Sequence, residues 1–262
     1  MAVIESSGIT DVGRKRKGNE DSLLLDDEIQ LYVVADGMGG HKAGEVASHL
    51  LIETLGDYLK RFHTTGKVEK LIEEEKTLSG PANRLMSGIY LSNKVIHQIA
   101  GSNPAYEGMG STVSALYFTD STMITANVGD SPVYLIRNGT IKLHSVLHTF
   151  MAEQEAIAGA GAKRLSEKFS HMLTRAMGTQ ETVKPDISEI PFQEGDILVI
   201  SSDGLTDMVS DDEILSVVTK TRFEKICKAL VNLANKRGGH DNITVIVLRV
   251  KQIPLKKTAP EI

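Results

Sequence analysis

Short uninterrupted apolar runs and longer helical stripes of apolar residues alternate along this chain. Residues 31–35, Leu-Tyr-Val-Val-Ala, form a run bounded by turn residues, which is typical of a buried strand. The next segment spaces its apolar side chains three and four residues apart, which predicts an amphipathic helix over residues 43–62. A second stripe over residues 85–99 predicts another long helix, and Pro81 stands near its start, where a helix tolerates proline.

The middle of the chain, residues 111–143, is rich in β-branched residues and carries two hairpin signals. Two β-like runs flank the polar segment 119–122, and two shorter runs, 133–136 and 141–143, flank Asn138-Gly139. Asn-Gly is a strong signal for a two-residue hairpin turn. Because hairpins join neighbouring strands that run in opposite directions, these signals predict an antiparallel sheet.

The last third of the chain returns to alternating strand and helix patterns. Apolar runs predict strands over residues 196–201 and 243–250. Amphipathic stripes predict helices over residues 211–219 and 222–236, and a short helix is predicted over residues 152–158. Helix groups at separate points of the chain, with antiparallel strands between them, predict an α+β sandwich.

Neither an internal repeat nor a linker divides the predicted core. We therefore expect one domain over residues 1–250, followed by a short C-terminal tail over residues 251–262 that contains two prolines and three lysines. The single cysteine, Cys227, excludes an internal disulfide and lies in a helical pattern, so we expect it to be a small buried side chain.

Charge and hydropathy narrow the class of protein. The 262 residues carry 29 basic and 34 acidic side chains, a net charge of −5, which disfavours a nucleic-acid partner because such proteins usually present a basic face. No apolar run approaches membrane-spanning length, and residues 1–7 lack the basic and apolar regions of a signal peptide. We expect a cytoplasmic protein that has no membrane partner.

Acidic residues recur at the ends of the predicted strands, beside glycine or asparagine. The segments are Asn19-Glu20-Asp21, Ala35-Asp36-Gly37, Val128-Gly129-Asp130-Ser131, Ser202-Asp203-Gly204 and His240-Asp241-Asn242, each expected to follow a strand except the last, which precedes one. A single Asp-Gly is usually a turn. Strand ends of one sandwich can converge, however, and converging carboxylates repel unless a cation neutralises them. Oxygen ligands alone favour magnesium or manganese over zinc or copper.

These segments belong to a longer ordered series of motifs. The series comprises Arg16-Lys-Gly-Asn-Glu-Asp21, Val34-Ala-Asp-Gly-Met-Gly-Gly-His41 with Ala43-Gly-Glu45, Gly110-Ser-Thr112, Ala126-Asn-Val-Gly-Asp-Ser131, Leu173-Thr-Arg-Ala-Met-Gly178, Ser201-Ser-Asp-Gly-Leu205 and Gly238-Gly-His-Asp-Asn-Ile-Thr244. In this order the motifs resemble the metal-dependent serine/threonine protein phosphatases of the type 2C family, especially the bacterial members. The resemblance covers residues 8–250. It implies a four-layer α-β-β-α sandwich, two antiparallel sheets flanked by helices, and the activity of a phosphatase acting on phosphoserine and phosphothreonine in proteins.

The resemblance also implies a site for two Mn²⁺ or Mg²⁺ ions. Asp36 would bridge the two ions, and the backbone carbonyl of Gly37 would bind one of them. Asp203 and Asp241 would complete the other. Water between two such ions loses a proton near neutral pH and could attack the phosphorus in line, without a phosphoenzyme.

Further roles follow from the same resemblance. Glu20 and Asp21 would hold metal-bound waters, and the planar guanidinium of Arg16 would bind two phosphate oxygens. Asp130 and Asp207 would help to hold a third, weaker metal.

Two interpretations of His41 stay open. A histidine titrates near neutral pH, so His41 could protonate the leaving serine or threonine oxygen. Alternatively, it is a residue at the start of a helix that makes a structural hydrogen bond. His240, beside Asp241, is expected to be structural.

The chain departs from the family pattern at three positions outside the expected inner metal ligands. Pro132 stands where arginine often follows Gly-Asp-Ser, Leu147 where aspartate often precedes His-Thr, and Gly18 where asparagine is frequent. The first two concern the surroundings of Asp130 and a flap over residues 145–172, which is expected to shape substrate choice.

The expected partners are phosphorylated proteins and a cognate serine/threonine kinase system, and the expected state is a monomer. One alternative is a non-catalytic regulator of the same fold that binds phosphoproteins. Such a protein would usually have lost a metal-binding aspartate, and none is missing here. A second alternative, a two-metal nuclease, is disfavoured by the acidic charge and the lack of a basic, aromatic groove.

Overall fold

Two antiparallel sheets lie face to face at the centre of the molecule, with helices against both outer faces. The computed structural model describes residues 2–39, 43–68, 71–120, 122–158 and 172–252. Within these ranges the expected four-layer α-β-β-α sandwich is confirmed.

The first sheet has five strands. They are β1 (Val3–Asp11), β7 (Val133–Arg137), β8 (Thr140–Leu143), β10 (Ile197–Ser201) and β11 (Ile243–Gln252). Their spatial order is β1-β11-β10-β7-β8, so the first and last strands of the chain lie side by side near the sheet's edge. At the β7–β8 turn, Asn138 and Gly139 both have positive φ, 52° and 76°, as a two-residue hairpin requires.

The second sheet contains the remaining strands. They are β2 (Asp21–Asp26), β3 (Leu31–Met38), β4 (Gly110–Ser111), β5 (Val113–Phe118), β6 (Thr122–Val128) and β9 (Asp186–Pro191). The spatial order is β2-β3-β5-β6-β9, and the short β4 pairs with the end of β3.

Six α-helices complete the layers in the described part of the chain. They are α1 (Ala43–Thr65), α2 (Gly80–Ser102), α3 (Phe150–Ala158), α4 (Asp203–Thr206), α5 (Asp211–Lys220) and α6 (Ile226–Lys236). Helices α1 and α2 pack on the second sheet, and α4, α5 and α6 on the first. None of the helices in the described ranges is long and apolar enough to cross a membrane.

Alternate side chains of one strand belong to different cores. In β3, Val33 faces α1 and α2, whereas Tyr32 and Val34 pack between the two sheets. In β10, Val199 faces the helices and Leu198 faces the other sheet. Both faces of these strands are therefore buried, which explains why their sequences are continuous apolar runs.

The pattern of apolar residues missed β1, β2 and β9. Strand β1 is mostly polar and half-exposed, so its sequence has little apolar periodicity. Its pairing with β11, from Val3 opposite Gln252 to Asp11 opposite Ile243, supplies the hydrogen bonds that define it as a strand. The expectation that Asn19–Asp21 follows a strand is wrong, because Asp21 is the first residue of β2.

The expectation that β3 breaks at Asp36 is also wrong. The strand continues through Gly37 to Met38, because Gly37 pairs with Ser111 and Met38 with Gly110 in β4. Asp36 therefore has a fixed extended backbone. At the other end of the chain, β11 runs to Gln252, and the rest of the predicted tail lies outside the described residues.

Candidate active site

Strand ends from both sheets enclose an acidic cavity of about 270 Å³. Its walls are formed by Arg16, Glu20, Asp36, Gly37, Met38, Gly39, Thr112, Asp130, Leu173, Asp203 and Asp241. Most of the residues that the sequence singled out are thus brought together here. Asp21 lies behind this wall, opposite Asp36 in the β2–β3 pair. His41 lies outside the described residues.

Asp21 is a buried carboxyl held across the sandwich. Its Oδ2 accepts hydrogen bonds from the hydroxyls of Ser202, at 2.8 Å, and Thr244, at 2.7 Å, both from the other sheet's side of the site. Its Oδ1 is buried and has no hydrogen-bond partner. Burial, reinforced by nearby carboxylates, raises the pKa of Asp21 to about 7 despite the two hydroxyl hydrogen bonds.

The other aspartates of the cavity are similarly perturbed. Burial is the largest cause that raises the pKa of Asp36, and Asp21 and Asp203 add to the shift. Burial and then the charge of Asp130 raise the pKa of Asp203 to about 7, although its carboxyl is hydrogen-bonded to Asp36. Burial also raises the pKa of Asp130, to about 6. These carboxyls are thus close enough to oppose one another's ionisation.

The donor set fits a divalent cation that prefers oxygen. The buried Oδ1 atoms of Asp21 and Asp203 have no hydrogen-bond partner, and the surrounding acidic groups repel one another until a cation offsets their charge. No group of three His, Cys, Asp or Glu side chains in the described ranges is already arranged to hold a metal ion. Oδ2 of Asp241 accepts a hydrogen bond from Arg16.

Arg16 lies in the loop between β1 and β2 and projects to the cavity from its rim. Its Nη2 donates to Oδ2 of Asp241 at 2.6 Å, and its Nη1 lies 4.0 Å from Oε2 of Glu20. Burial is the largest cause of the raised pKa of Glu20. About half of the Arg16 side chain is exposed, so its guanidinium is accessible to a ligand that enters the cavity.

Gly37 is enclosed by backbone on two sides. A Cβ at this position would lie 2.0 Å from the carbonyl oxygen of Gly44 in α1 and 2.5 Å from that of Glu20. A Cβ at Gly44 would in turn lie 2.8 Å from the carbonyl of Gly37. Two glycines therefore allow the end of β3 and the start of α1 to touch, and this contact places Gly37 at the cavity wall.

Asn242 holds the loops of the site together, a role that its place in a motif alone did not predict. Its Nδ2 donates to the carbonyls of Val12 and Gly18, and its Oδ1 accepts from the backbone N–H of Glu20. The side chain is buried. Asn242 thus fixes the loop that carries Arg16 against the start of β11.

Thr112 is a second residue whose role the sequence did not reveal. Its Oγ1 accepts from the backbone N–H of Asp36 at 3.0 Å, and its own N–H donates to the carbonyl of Asp36 at 2.8 Å. Its hydroxyl also bonds that of Ser131 at 2.8 Å. Both backbone groups of Asp36 are thereby held. In the sequence, only the motif Gly110-Ser-Thr112 pointed to Thr112.

Asp130 lines the cavity, whereas Asp207 lies outside its lining but close enough to Asp130 and Asp203 to affect both. Asp130 follows β6 after Gly129, whose φ of +107° is unfavourable for other residues. Asp207 is exposed at the end of α4, and its charge raises the pKa of both Asp130 and Asp203. His240 is exposed next to Asp241.

The chain is similar to protein phosphatases along almost its whole length. It matches the sequence model of the family described as protein phosphatase 2C over residues 8–243. It is 32% identical over 257 residues to protein phosphatase PhpP of Streptococcus pneumoniae, and the match covers 95% of this chain and 98% of that protein. It is 36% identical over 247 residues to serine/threonine phosphatase stp of Listeria monocytogenes, and the match covers 91% of this chain and 93% of that protein.

Solved structures show the same relationship. Serine/threonine phosphatase Stp1 from Staphylococcus aureus superposes with a TM-score of 0.80 at 32% identity, over 95% of this chain and 96% of that chain. The catalytic domain of serine/threonine protein phosphatase PstP, solved in complex with two manganese ions, gives a TM-score of 0.80 at 30% identity, over 96% and 100% of the chains. The residues matched by the family model, 8–243, include all those that line the acidic cavity.

The Gly37–Gly44 contact predicts a large effect of a single methyl group. Gly37→Ala should lower the free energy of unfolding by roughly 2 kcal/mol or more, because the Cβ collides with backbone on two sides. Gly18→Ala is the matched control, since no atom lies within 4 Å of its Cβ position, and it should change stability by less than about 0.5 kcal/mol. Urea unfolding of the two variants measures the difference, and equal stabilities would contradict the packing argument.

The raised pKa of Asp21 predicts how stability varies with pH. In chelator-treated protein the folded state retains a proton on Asp21 up to about pH 7, whereas an unfolded aspartate releases it near pH 3.9. Wild-type stability should therefore fall as the pH rises from about 4 to about 7. Asp21→Asn cannot ionise and should reduce this slope, while Asp212→Asn, at an exposed position, should keep it. Urea unfolding at a series of pH values tests this, and an unchanged slope in Asp21→Asn would refute it.

Proposed function

The chain belongs to the protein phosphatase 2C family and is a protein serine/threonine phosphatase, and we propose that it hydrolyses phosphoserine and phosphothreonine in proteins at the acidic cavity. The observation that carries this proposal is the meeting of buried aspartates with raised pKa values and one accessible arginine in a single cavity. Carboxylates supply cation ligands, and the guanidinium supplies a partner for phosphate.

Two divalent cations, Mn²⁺ or Mg²⁺, are the proposed cofactors. Asp36, the backbone of Gly37, Asp203 and Asp241 would hold them. When bound, such cations make hydroxide available from water at neutral pH and offset negative charge on the phosphoryl oxygens. Asp130, with Asp207 close by, would bind a third and weaker cation. The solved PstP complex with two manganese ions supports the proposal of two cations, since that chain shares the fold.

Asp21 and Glu20 would orient water beside the cations. Hydroxyls from the opposite sheet fix one oxygen of Asp21, and the other oxygen is left without a protein partner. This arrangement leaves a directed acceptor for a water proton. Glu20 lies at the cavity wall, where its backbone is fixed by Asn242.

Arg16 would bind the phosphate group of the substrate. Its guanidinium already bonds a carboxylate, Asp241, at the cavity rim, and a phosphate presents oxygens of similar spacing to the same planar group. Cation binding by Asp241 would weaken the competing ion pair. The proton for the leaving serine or threonine oxygen is proposed to come from His41, whose structural alternative stays open.

Phosphorylated proteins are the proposed substrates, and a serine/threonine kinase that makes them is the proposed functional partner. We further propose that the chain acts as a monomer in the cytoplasm, without nucleic-acid or membrane partners. The alternative of a non-catalytic regulator gains nothing from the geometry, because all the aspartates expected to bind metal within the described ranges are present at the cavity or beside it.

Chelator and a single substitution should both abolish the activity. Wild-type protein should hydrolyse a phosphothreonine peptide with Mn²⁺, and EDTA or Asp203→Ala should lower the rate by about 100-fold or more, since cation ligands are lost. Asp212→Ala, an exposed aspartate on α5, is the control and should retain the wild-type rate. Phosphate release measures all four conditions. Hydrolysis that survives both EDTA and Asp203→Ala would refute the mechanism, and peptide binding without turnover would favour the regulator.

Arg16→Ala should weaken substrate binding. We expect KM for the phosphopeptide to rise by about tenfold, because loss of a charge-assisted hydrogen bond to phosphate costs about 1.4 kcal/mol or more. Lys17→Ala removes a neighbouring exposed positive charge and should leave KM within about twofold. Steady-state kinetics at saturating Mn²⁺ measure both variants. A KM in Arg16→Ala equal to that of Lys17→Ala would remove the phosphate role.

A further inference from the structure

A buried histidine outside the cavity connects the flap to the turn that carries Asp130. His148 is fully buried. Its Nδ1 lies 3.1 Å from the backbone nitrogen of Gly129, and its own backbone N–H donates to the carbonyl of Gly129 at 2.9 Å. The side chain and the backbone N–H of His148 therefore bind the backbone N–H and carbonyl of Gly129, the residue directly before Asp130.

The hydrogen bonds define the tautomer of this ring. A backbone N–H can only donate, so Nδ1 of His148 must accept from Gly129. The proton of the neutral ring is then on Nε2, which donates to Oδ2 of Asp186 at 2.6 Å. Asp186, in β9, thus orients the ring whose other nitrogen holds the turn.

His148 also lies in the flap base, the name we give to residues 145–153 and 172–175. The two halves of the flap base are joined by hydrogen bonds from Phe150 N–H to the carbonyl of Met172 and from Thr174 N–H to that of His148. The Arg175 guanidinium donates to the oxygen of Asp186 that also accepts from His148. Arg175 of the flap base and the His148 ring are therefore both bound to Oδ2 of Asp186.

The turn packs closely against Thr112 on its other side. Gly129 has φ of +107°, and a Cβ there would lie 2.6 Å from the Thr112 side chain, which also holds the backbone of Asp36. Asn127 adds a second connection, because its Nδ2 donates to the carbonyls of both Gly129 and Val146 in the flap base. The turn is therefore clamped between the flap base and the strand end that carries Asp36.

We propose that His148 is a positioning residue that ties the flap base to the Gly129 turn and thereby fixes the carboxylate of Asp130 at the cavity. A displacement of the flap base would move the Gly129 amide and with it Asp130. The flap base is thereby coupled to the proposed position of the third cation. This inference rests on the proposed role of the cavity as a cation site.

Two substitutions at His148 distinguish the acceptor role of Nδ1 from the donor role of Nε2. His148→Asn retains an acceptor near the position of Nδ1 and should keep the side-chain hydrogen bond from the Gly129 N–H. His148→Gln retains a donor near the position of Nε2 and should lose that hydrogen bond, while the backbone hydrogen bond to the Gly129 carbonyl remains. His144→Gln is the matched control, since His144 contacts Ser188 and not the turn. The measurement is calorimetric titration of chelator-treated full chain with MnCl2, accompanied by thermal unfolding of every variant.

We expect His148→Gln to weaken the weaker Mn²⁺ binding step by about tenfold, the size of effect typical of residues that orient metal ligands, and His148→Asn to stay within about threefold of wild type. In an Asp130→Asn background, His148→Gln should cause no further loss. A purely structural role would lower the melting temperature of both His148 variants and change Mn²⁺ binding equally.

Three results would overturn the proposal. They are equal Mn²⁺ affinities in the two His148 variants, an additive loss in the double variant, or unchanged Mn²⁺ binding in Asp130→Asn. Turnover of the phosphothreonine peptide by wild-type protein is measured separately. A failure of the phosphatase function is therefore distinguishable from a failure of the positioning role.

Discussion

Electrostatic repulsion among carboxylates that lie close together away from water is the constraint on which the rest of this molecule depends. Burial raises the pKa of Asp21, Asp36 and Asp203, and neighbouring carboxylates of the site add to each shift. Such a cluster costs stability, so a rigid surrounding structure has to hold it in place. Backbone pairing of β3 with β4, the hydroxyls on Asp21 and the clamp of Thr112 on Asp36 supply that rigidity.

The sandwich architecture provides this cluster with two independent supports. Asp21 and Asp36 face each other across β2 and β3 of one sheet, while Asp203 and Asp241 flank strands of the other. Because the inter-sheet core fixes the separation of the sheets, the two pairs meet at a set distance. The hydrogen bonds from Ser202 and Thr244 to Asp21 join the sheets directly at the site.

Sequence patterns predicted the parts of the fold that depend on apolar periodicity and the parts of the site that carry charge. Strands buried on both faces and amphipathic helices were evident, whereas β1 and β2 were not. Strand β1 is mostly polar and half-exposed, and the apolar run of β2 is only three leucines long. Acidic residues beside glycine indicated the cavity. The supporting contacts of Asn242 and His148 were not predictable, since each acts through backbone groups far away in sequence.

The ion pair of Arg16 with Asp241 joins residues that are 225 positions apart, and β1 lies against β11 along its full length. A chain emerging from the ribosome thus carries the arginine long before the strand that completes the cavity exists. Contacts of such high sequence separation form late in folding because the intervening loop must first close. The cavity is consequently assembled only when synthesis has passed β11, because an incomplete chain lacks Asp241 and the strand that follows it.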